Sequence, residues 1–577
     1  MSYPFFQRLS ALSLLLVSAT LTAAPDEGIP TEADLAKEAS QLTDFSSEDL
    51  SKIVPPPPGI GGEIELSLND AIAALLQKSP AITVSRSSVE LAQGELQEAI
   101  GAFDPVFQST LQATYGSASE DSTFTNPFLS RIQNNPSMIR SSDTVTDNQL
   151  KANAGLTKLF RNGLAAGPFL GVNSDTEGDN LQDSTDAFLG FFVNIPLLRN
   201  LGEYSQYATL ERAAQIETQI ARLNFEFTIS QQILTVLDGY WTLRSAQDAV
   251  KVAQVNEMDG KKLVGLTEAL VQGYVVPSIQ VDQAKANLEQ FTTQRIAARQ
   301  SQSKASQTLA LTMGFSPMEL FDEPVATDDF PASEETTVDN DTVRKWVQIA
   351  LRRRADLQAA KLSTEAAEVL VRGARNGTLP QVDFAIGAGG VADGTTDNKF
   401  DDSGSENDLG VGIGAALTID WPIRNNVAKG LLVQQLATLN QARADVLMIE
   451  SQVASDVILA AKGLINARNA LKETMLAVKN QRKSLQAQQE MFTMGMTSLV
   501  EVITTQTSLS SIEMDLVEAK AGYATAVAQM RFATGTLLPD SVDGRYDFDT
   551  KTLMRMPDPA TAIDPQSPRP ETPTDSS

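Results

Sequence analysis

Any chemistry in this chain must be done without imidazole or thiol, because the 577 residues include no histidine and no cysteine. A Ser-His-Asp set, a thiolate nucleophile, a disulfide framework and Cys- or His-ligated zinc are excluded together. Carboxylates remain, 72 acidic against 45 basic residues for a formal charge of −27. That surplus argues against nucleic acid as a partner, since phosphate recognition needs clustered Lys and Arg. Two stretches imitate sites. GVGIGAAL supplies G-x-G-x-G at 410–414, but it lies inside an alternating apolar run and leads into Trp421-Pro422, whereas a dinucleotide loop must open a helix. DGTTDNKFDDSGSEND (393–408) has a calcium-like composition without the D-x-D-x-D-G spacing and reads as a solvated loop between two strands. No phosphate loop and no nucleophile–base set is present, so the reading is of a non-enzyme with no cofactor and no metal site, whose energy would come from a partner.

The elements around these stretches carry more information. VQGYVVPSIQVDQAKANL (271–288) and FTMGMTSLVEVITTQTSL (492–509) each end a very long helical pattern, offer a glycine (Gly273, Gly495), pass through turn residues and restart a helix. They belong to an internal repeat. SLNDAIAALLQKSP and TVRKWVQIALRRRAD open the two copies; Pro105 aligns with Pro380, NIPLLRN with DWPIRN, and the helix ends at Gly314 and Gly535 correspond. Between the paired prolines the first copy spans 91 residues (196 − 105) and the second 42 (422 − 380). The 49 additional residues of the first copy include LKANAGLTKLFRNGLAAGPFLGVNSDT, a hairpin around Arg161-Asn162-Gly163 that either adds two strands or forms an external loop. From Pro196 to Gly273 and from Pro422 to Gly495 the chain is long enough for helices of about 110 Å. In the second, Leu432, Leu439, Val446, Val453, Ala460 and Ala467 recur every seven residues, and so do Val457, Leu464, Leu471, Val478, Leu485 and Phe492. That a/d seam predicts coiled-coil packing.

The strands read differently from those of a soluble sheet. LGVGIGAALTIDW (409–421) places Leu409, Val411, Ile413, Ala415, Leu417 and Ile419 on one face and glycines, Ala416, Thr418 and Asp420 on the other. QVDFAIGAG, VFQSTLQATY and AFLGFFVNIP alternate too, the last against a mixed face. Such runs are long enough for tilted membrane strands, and Trp421 suits an interfacial aromatic girdle. Four or so strands cannot close a barrel, and lipid forbids open edges, so the chain must oligomerise.

The N-terminus MSYPFFQRLSALSLLLVSATLTAAP reads as a secretory leader (1–24), and no other run approaches a membrane-spanning helix. The expected segments are an acidic Pro-rich arm (25–62), a first repeat (63–314, strands about 105–196, helical hairpin 197–314), a linker (315–340), a second repeat (341–535, strands about 380–422, hairpin 423–535) and a disordered tail (536–577). The fold class is mixed α and β, an oligomeric strand barrel joined to long coiled-coil helices; the resemblance below implies that these helices form a helical barrel. A non-membrane periplasmic coiled-coil scaffold is the alternative.

In the order of these features the chain resembles the TolC-like outer-membrane efflux and secretion channels, over about 63–538. The residues that carry the resemblance are the repeat, the Pro-to-Arg/Asn step from strand to helix, G-x-x-S-x-x-E-V at Gly495–Val502, and the terminal TG of each repeat. The resemblance implies a homotrimer with about twelve shared strands, about four per subunit, in the outer membrane. It implies a periplasmic helical tunnel, with an equatorial region built from helices near 66–79 and 341–356, the linker and the C-terminal end. It further implies a periplasmic adaptor and an inner-membrane pump as partners, and the efflux of drugs or metals or type I protein secretion as the task. Gly273, Tyr274 and Val275, with Gly495, Met496, Thr497 and Ser498, would be adaptor-docking tips. Related channels often place two acids three apart after the second tip, facing the pore at its gate. Glu501 and Thr504 hold those positions here, and Gln280 and Gln283 hold the equivalents of the first copy. A Tyr and an Arg that lock some members closed are matched by Phe492 and Thr497, which cannot make that contact.

Overall fold

This computed structural model describes residues 64–119, 144–177, 182–333, 338–395, 409–539 and 548–557. The leader, the Pro-rich arm and most of the acidic run 393–408 lie outside the described residues.

The first half begins with a short strand, β1 (Ile64–Leu66), and two helices, α1 (Leu68–Lys78) and α2 (Pro80–Gly101). Ser67 and Asp70 cap α1 reciprocally, and Pro80 occupies the first turn of α2, where its missing N–H is harmless. Four strands follow: β2 (Val106–Ser119), β3 (Thr144–Leu159), β4 (Ala165–Glu177) and β5 (Gln182–Pro196). Then come α3 (Gln206–Gln272), α4 (Ile279–Met313) and the linker strand β6 (Pro324–Ala326). The second half runs α5 (Asn340–Arg353), α6 (Ala355–Gly377), β7 (Gln381–Thr395), β8 (Leu409–Asp420), α7 (Asn426–Thr493), α8 (Leu499–Thr534) and a single turn, α9 (Thr550–Leu553).

Helices α3 and α7 contain 67 and 68 residues, about 100 Å each. They start later than the prolines that precede them. Pro196 and Pro422 end strands, and Asn200 (φ 64°) and Asn425 (φ 44°) then turn the chain through the left-handed region that asparagine tolerates. The Asn200 N–H donates to Asn376 Oδ1 at 2.8 Å and the Asn425 amide donates to the Thr378 carbonyl at 3.0 Å. Both turns are thereby fixed to the end of α6. On α7 the heptad reading holds best below the midpoint: Val457, Leu464, Leu471, Val478, Leu485 and Phe492 are all buried. Of the other series Leu439 and Val453 are buried, while Leu432, Val446, Ala460 and Ala467 are partly so.

The core lies where the repeat-opening helices meet the long ones. Ile72 and Leu75 of α1 pack with Leu237 and Trp241 of α3. Trp346 and Ile349 of α5 pack with Val453 and Val457 of α7 and Val527 of α8. The linker closes on the start of the fold through parallel pairing of β1 with β6, and the Tyr240 hydroxyl lies 3.1 Å from the Leu66 carbonyl and 3.0 Å from Asp328 Oδ2. The halves also meet at Arg354, only 5% exposed, which holds Asp356 at 2.7 Å and Asp456 at 3.0 Å and stands beside the rings of Phe227 and Phe532.

The sheet corrects the expectation of about four strands. Among the described residues it has six, in the order β2-β3-β4-β5-β7-β8, all neighbours antiparallel. The additional residues of the first half supply β3 and β4. Alternation segregates the faces in register. Leu111, Ala152, Leu170, Leu189, Phe191, Ile386, Val411 and Ile413 share one side; Thr110, Asn153, Gly171, Asn173, Asn194, Gly387 and Gly414 share the other. Among the described residues the edges β2 and β8 have no strand partner, and the sheet does not close on itself. No described helix is long and apolar enough to cross a membrane.

The expected disordered tail is corrected in part. Residues 548–557 pack into the fold, with Leu553 buried in the α1–α3 core and Met556 against the α5–α7 core. Arg531 Nε donates to the Arg555 carbonyl at 2.7 Å, and Trp346 Nε1 to the Pro557 carbonyl at 3.1 Å.

Candidate functional site at the paired hairpin tips

Both long hairpins reverse at one end of the molecule, and the reversals are built alike. At the first, Val275 N–H donates to the Leu270 carbonyl (2.9 Å) and Tyr274 N–H to the Val271 carbonyl (3.0 Å). At the second, Met496 donates to Met491 (2.9 Å) and Gly495 to Phe492 (3.0 Å). These are the 6→1 and 5→2 bonds of a Schellman motif, which requires a left-handed residue after the cap. That residue is Gly495 (φ 70°) in one tip and Tyr274 (φ 54°) in the other. The sequence reading that matched Gly273 with Gly495 is therefore off by one. Gly273 is the cap itself at φ −79°, and its counterpart is Met494.

With that alignment Glu501 corresponds to Gln280 and Thr504 to Gln283. The two restarts differ chemically. Ser498 caps α8, its hydroxyl accepting from the Glu501 N–H at 3.3 Å, whereas Ser278 makes no side-chain cap on α4. Glu501 is exposed in the first turn of α8, where the helix dipole favours a carboxylate. Thr504 is exposed and its hydroxyl donates to the Val500 carbonyl at 2.8 Å. Gln283 is exposed too; Gln280 is half-buried, and its side-chain oxygen has no hydrogen-bond partner. Thr497 donates to Gln488 Oε1 at 3.1 Å, and Phe492 is fully buried in the seam, so neither is placed for a polar lock.

The tips stand together over a shared apolar plug of Leu263 and Ala284 from one hairpin and Leu485, Phe492, Leu499 and Val502 from the other. A Cβ on Gly495 would sit 3.7 Å from Val275 Cγ1, so the loops are in van der Waals reach. Outside the plug, large apolar side chains are exposed. Tyr274 is 97% exposed and Met496 73%, joined by Met494, Val275, Ile279 and Val500. Ile279, Met494 and Val500 escaped the sequence reading, which looked for glycines and acids; the signal was apolar residues crowding a turn between polar helices. Above the tips a groove of about 650 Å³ runs between the hairpins, with Asp259, Lys262, Arg482, Gln489 and Glu513 on its walls. Arg482 Nη2 holds Glu513 Oε1 there at 2.6 Å. At the other end of the molecule Trp421 is exposed where β8 ends. Among the described residues no cluster of three acidic side chains is arranged to hold a metal ion.

A sheet with one apolar and one polar face is thus mounted on two coiled hairpins with paired tips. The chain matches, over residues 346–536, the family model described as outer membrane efflux protein. It is 22% identical over 355 residues to the outer membrane protein TolC of Vibrio cholerae, covering 61% of this chain and 78% of that protein. The fold is shared with the Campylobacter jejuni CmeC outer membrane channel (TM-score 0.57, 14% identity, 81% of this chain, 85% of that one). It is shared also with the outer membrane protein VceC of Vibrio cholerae (TM-score 0.56, 16% identity, 81% and 96%). The proteins it resembles are described as outer-membrane proteins and channels.

Proposed function

We propose that the chain is one subunit of a homotrimeric, passive exit duct. The sheets of three copies close a barrel in the outer membrane, and the α3–α4 and α7–α8 hairpins, one from each half of an internal repeat, line a tunnel through the periplasm. A periplasmic adaptor grips the apolar tips, an inner-membrane pump supplies the energy, and cargo crosses without chemistry, as small molecules such as drugs or metals or as secreted protein. The observation that carries this reading is the six-stranded sheet whose apolar face is exposed and whose two edges are unpaired, continued by helices of about 100 Å. Glu501 of three copies would form an acidic ring at the tips, attracting cations.

The test is single-channel conductance of the purified protein in a planar bilayer, wild type against Glu501→Ala, across pH. Cation-preferring openings that lose selectivity in the variant support the duct and its ring together. Openings unchanged by the substitution keep the duct and remove Glu501 from the ring. A protein that never inserts and stays soluble without detergent returns the scaffold reading.

A further inference from the structure

We propose that the β3–β4 hairpin is part of the barrel wall and that the closed barrel therefore has eighteen strands, six from each of three copies, with β8 of one copy paired to β2 of the next. This inference rests on the duct reading above and changes its calibre.

Four observations carry it. First, β3 is paired along its length with β2 (Thr144–Thr157), and β4 with β5 (Ala165–Asn194 through Glu177–Gln182), so the hairpin separates β2 from β5 in the sheet. An external loop or an internal plug would leave β2 beside β5. Second, the hairpin obeys the alternation of its neighbours. Ala152, Leu156, Leu170 and Val172 continue the apolar face, and Lys151, Asn153, Gly171 and Asn173 continue the polar one. A strand in a barrel wall, with lipid on one side and water on the other, needs that pattern. Third, its turn is latched to the helical end of the sheet. Arg161 holds Glu211 of α3 with Nε at 2.8 Å and Nη2 at 2.7 Å and lies over the Phe103 ring after α2; the Gly202 N–H donates to the Asn162 carbonyl at 3.0 Å. Gly163 is left-handed (φ 88°), and a Cβ there would come 2.0 Å from the Asn200 carbonyl oxygen, so the turn is seated on the bend that starts α3. Fourth, the free edges are complementary. β2 leads away from the helical end over 14 residues and β8 returns to it over 12, so neighbouring copies present antiparallel edges of similar length.

With a strand spacing of about 4.8 Å and a tilt of about 40°, eighteen strands give a backbone diameter of roughly 36 Å, against roughly 24 Å for twelve. Among the described residues the polar face carries small residues such as Gly171, Gly387 and Gly414. Its three phenylalanines, Phe169, Phe188 and Phe192, cluster with centroids 5.9 and 6.3 Å from Phe169, and Phe169 is only 2% exposed. Phe188 lies over Gly171, where a Cβ would meet its ring at 2.0 Å. With these rings lying along the wall, an eighteen-stranded section is wider than a twelve-stranded one.

The test uses the natural absence of cysteine. Single variants Leu170→Cys (β4, apolar face), Asn173→Cys (β4, polar face), Leu156→Cys (β3, apolar face, should Leu170→Cys not fold) and Val411→Cys (β8, apolar face) are labelled with a fluorophore. The full-length protein is reconstituted in vesicles holding a nitroxide lipid. Quenching at Leu170 or Leu156 as strong as at Val411, with Asn173 unquenched but reactive toward a charged, membrane-impermeant thiol reagent, supports the wall. Quenching at Val411 with both hairpin faces unquenched overturns the proposal and leaves the duct standing. An unquenched Val411 overturns the duct reading itself. The intact mass of the detergent-solubilised oligomer completes the count, and any stoichiometry other than three overturns eighteen.

Discussion

Tyr274 stands in the first hairpin tip where Gly495 stands in the second, each the left-handed residue that follows its helix cap, at φ 54° and 70°. The left-handed region costs a non-glycine residue about 1–2 kcal/mol. Tyr274→Gly is expected to strengthen amide-exchange protection in the last turn of α3 by about 1 kcal/mol, and Gly495→Ala to weaken it in the last turn of α7 by a similar amount. Strain held at a nearly fully exposed aromatic points to contact with a partner. Binding of the cognate adaptor should then weaken in Tyr274→Gly although the tip is more stable, and unchanged binding would make Tyr274 a bystander.

Arg161 covers a carboxylate that has little access to water. Glu211 is 7% exposed at its side chain, and Arg161 is its bidentate partner. Arg161→Ala is expected to cost about 2 kcal/mol in thermal unfolding of the detergent-solubilised protein, because the remaining carboxylate loses a charged hydrogen bond. Arg161→Ala combined with Glu211→Ala should recover part of that loss. Additive effects in the double-mutant cycle would mean that the two side chains do not couple.

Lys78 and Glu319 clasp the end of α1 to the segment after α4 at 2.7 Å. The Lys78 ammonium, followed by the Ser316 N–H, holds the Glu319 carboxyl below its ordinary 4.5. A carboxyl whose pKa is lowered by folding contributes stability that is complete above the unfolded value and disappears as pH falls through the folded value. Glu319→Gln should therefore cost about 1 kcal/mol at pH 7, and the difference from wild type should vanish as the pH drops below the usual carboxylate range. A penalty that persists at low pH would assign the effect to packing.

The C-terminal strap joins two cores. Truncation before Phe548 removes Leu553 from one and Met556 from the other and leaves Trp346 Nε1 without the Pro557 carbonyl. Leu553→Ala alone is expected to cost about 3 kcal/mol by the cavity it leaves, and Trp346→Phe about 1 kcal/mol by the lost hydrogen bond. Denaturant unfolding of the two variants separates the contributions. Wild-type stability in Leu553→Ala would mean that the strap rests on the surface without holding it.

Much of the architecture was legible because it is periodic. A repeat of seven identifies Val457 to Phe492 as a seam whatever they pack against, and a repeat of two marks Leu409 to Asp420 as a two-faced strand. The Pro-to-Asn steps also announced themselves, since proline ends a strand and asparagine accepts the left-handed turn. Three things were decided only in tertiary structure. Whether 144–177 joins the sheet depends on pairing with strands far away in sequence and on the latch from Arg161 to Glu211, which no local pattern records. Whether 548–557 packs depends on grooves that exist only after α1, α5 and α8 are assembled. And the true equivalence of the tips follows hydrogen-bond positions instead of letters. The sequence shows two glycines, but the left-handed position belongs to Gly495 and Tyr274, because the helix hydrogen bonds set where the chain must reverse and the residue found there must comply.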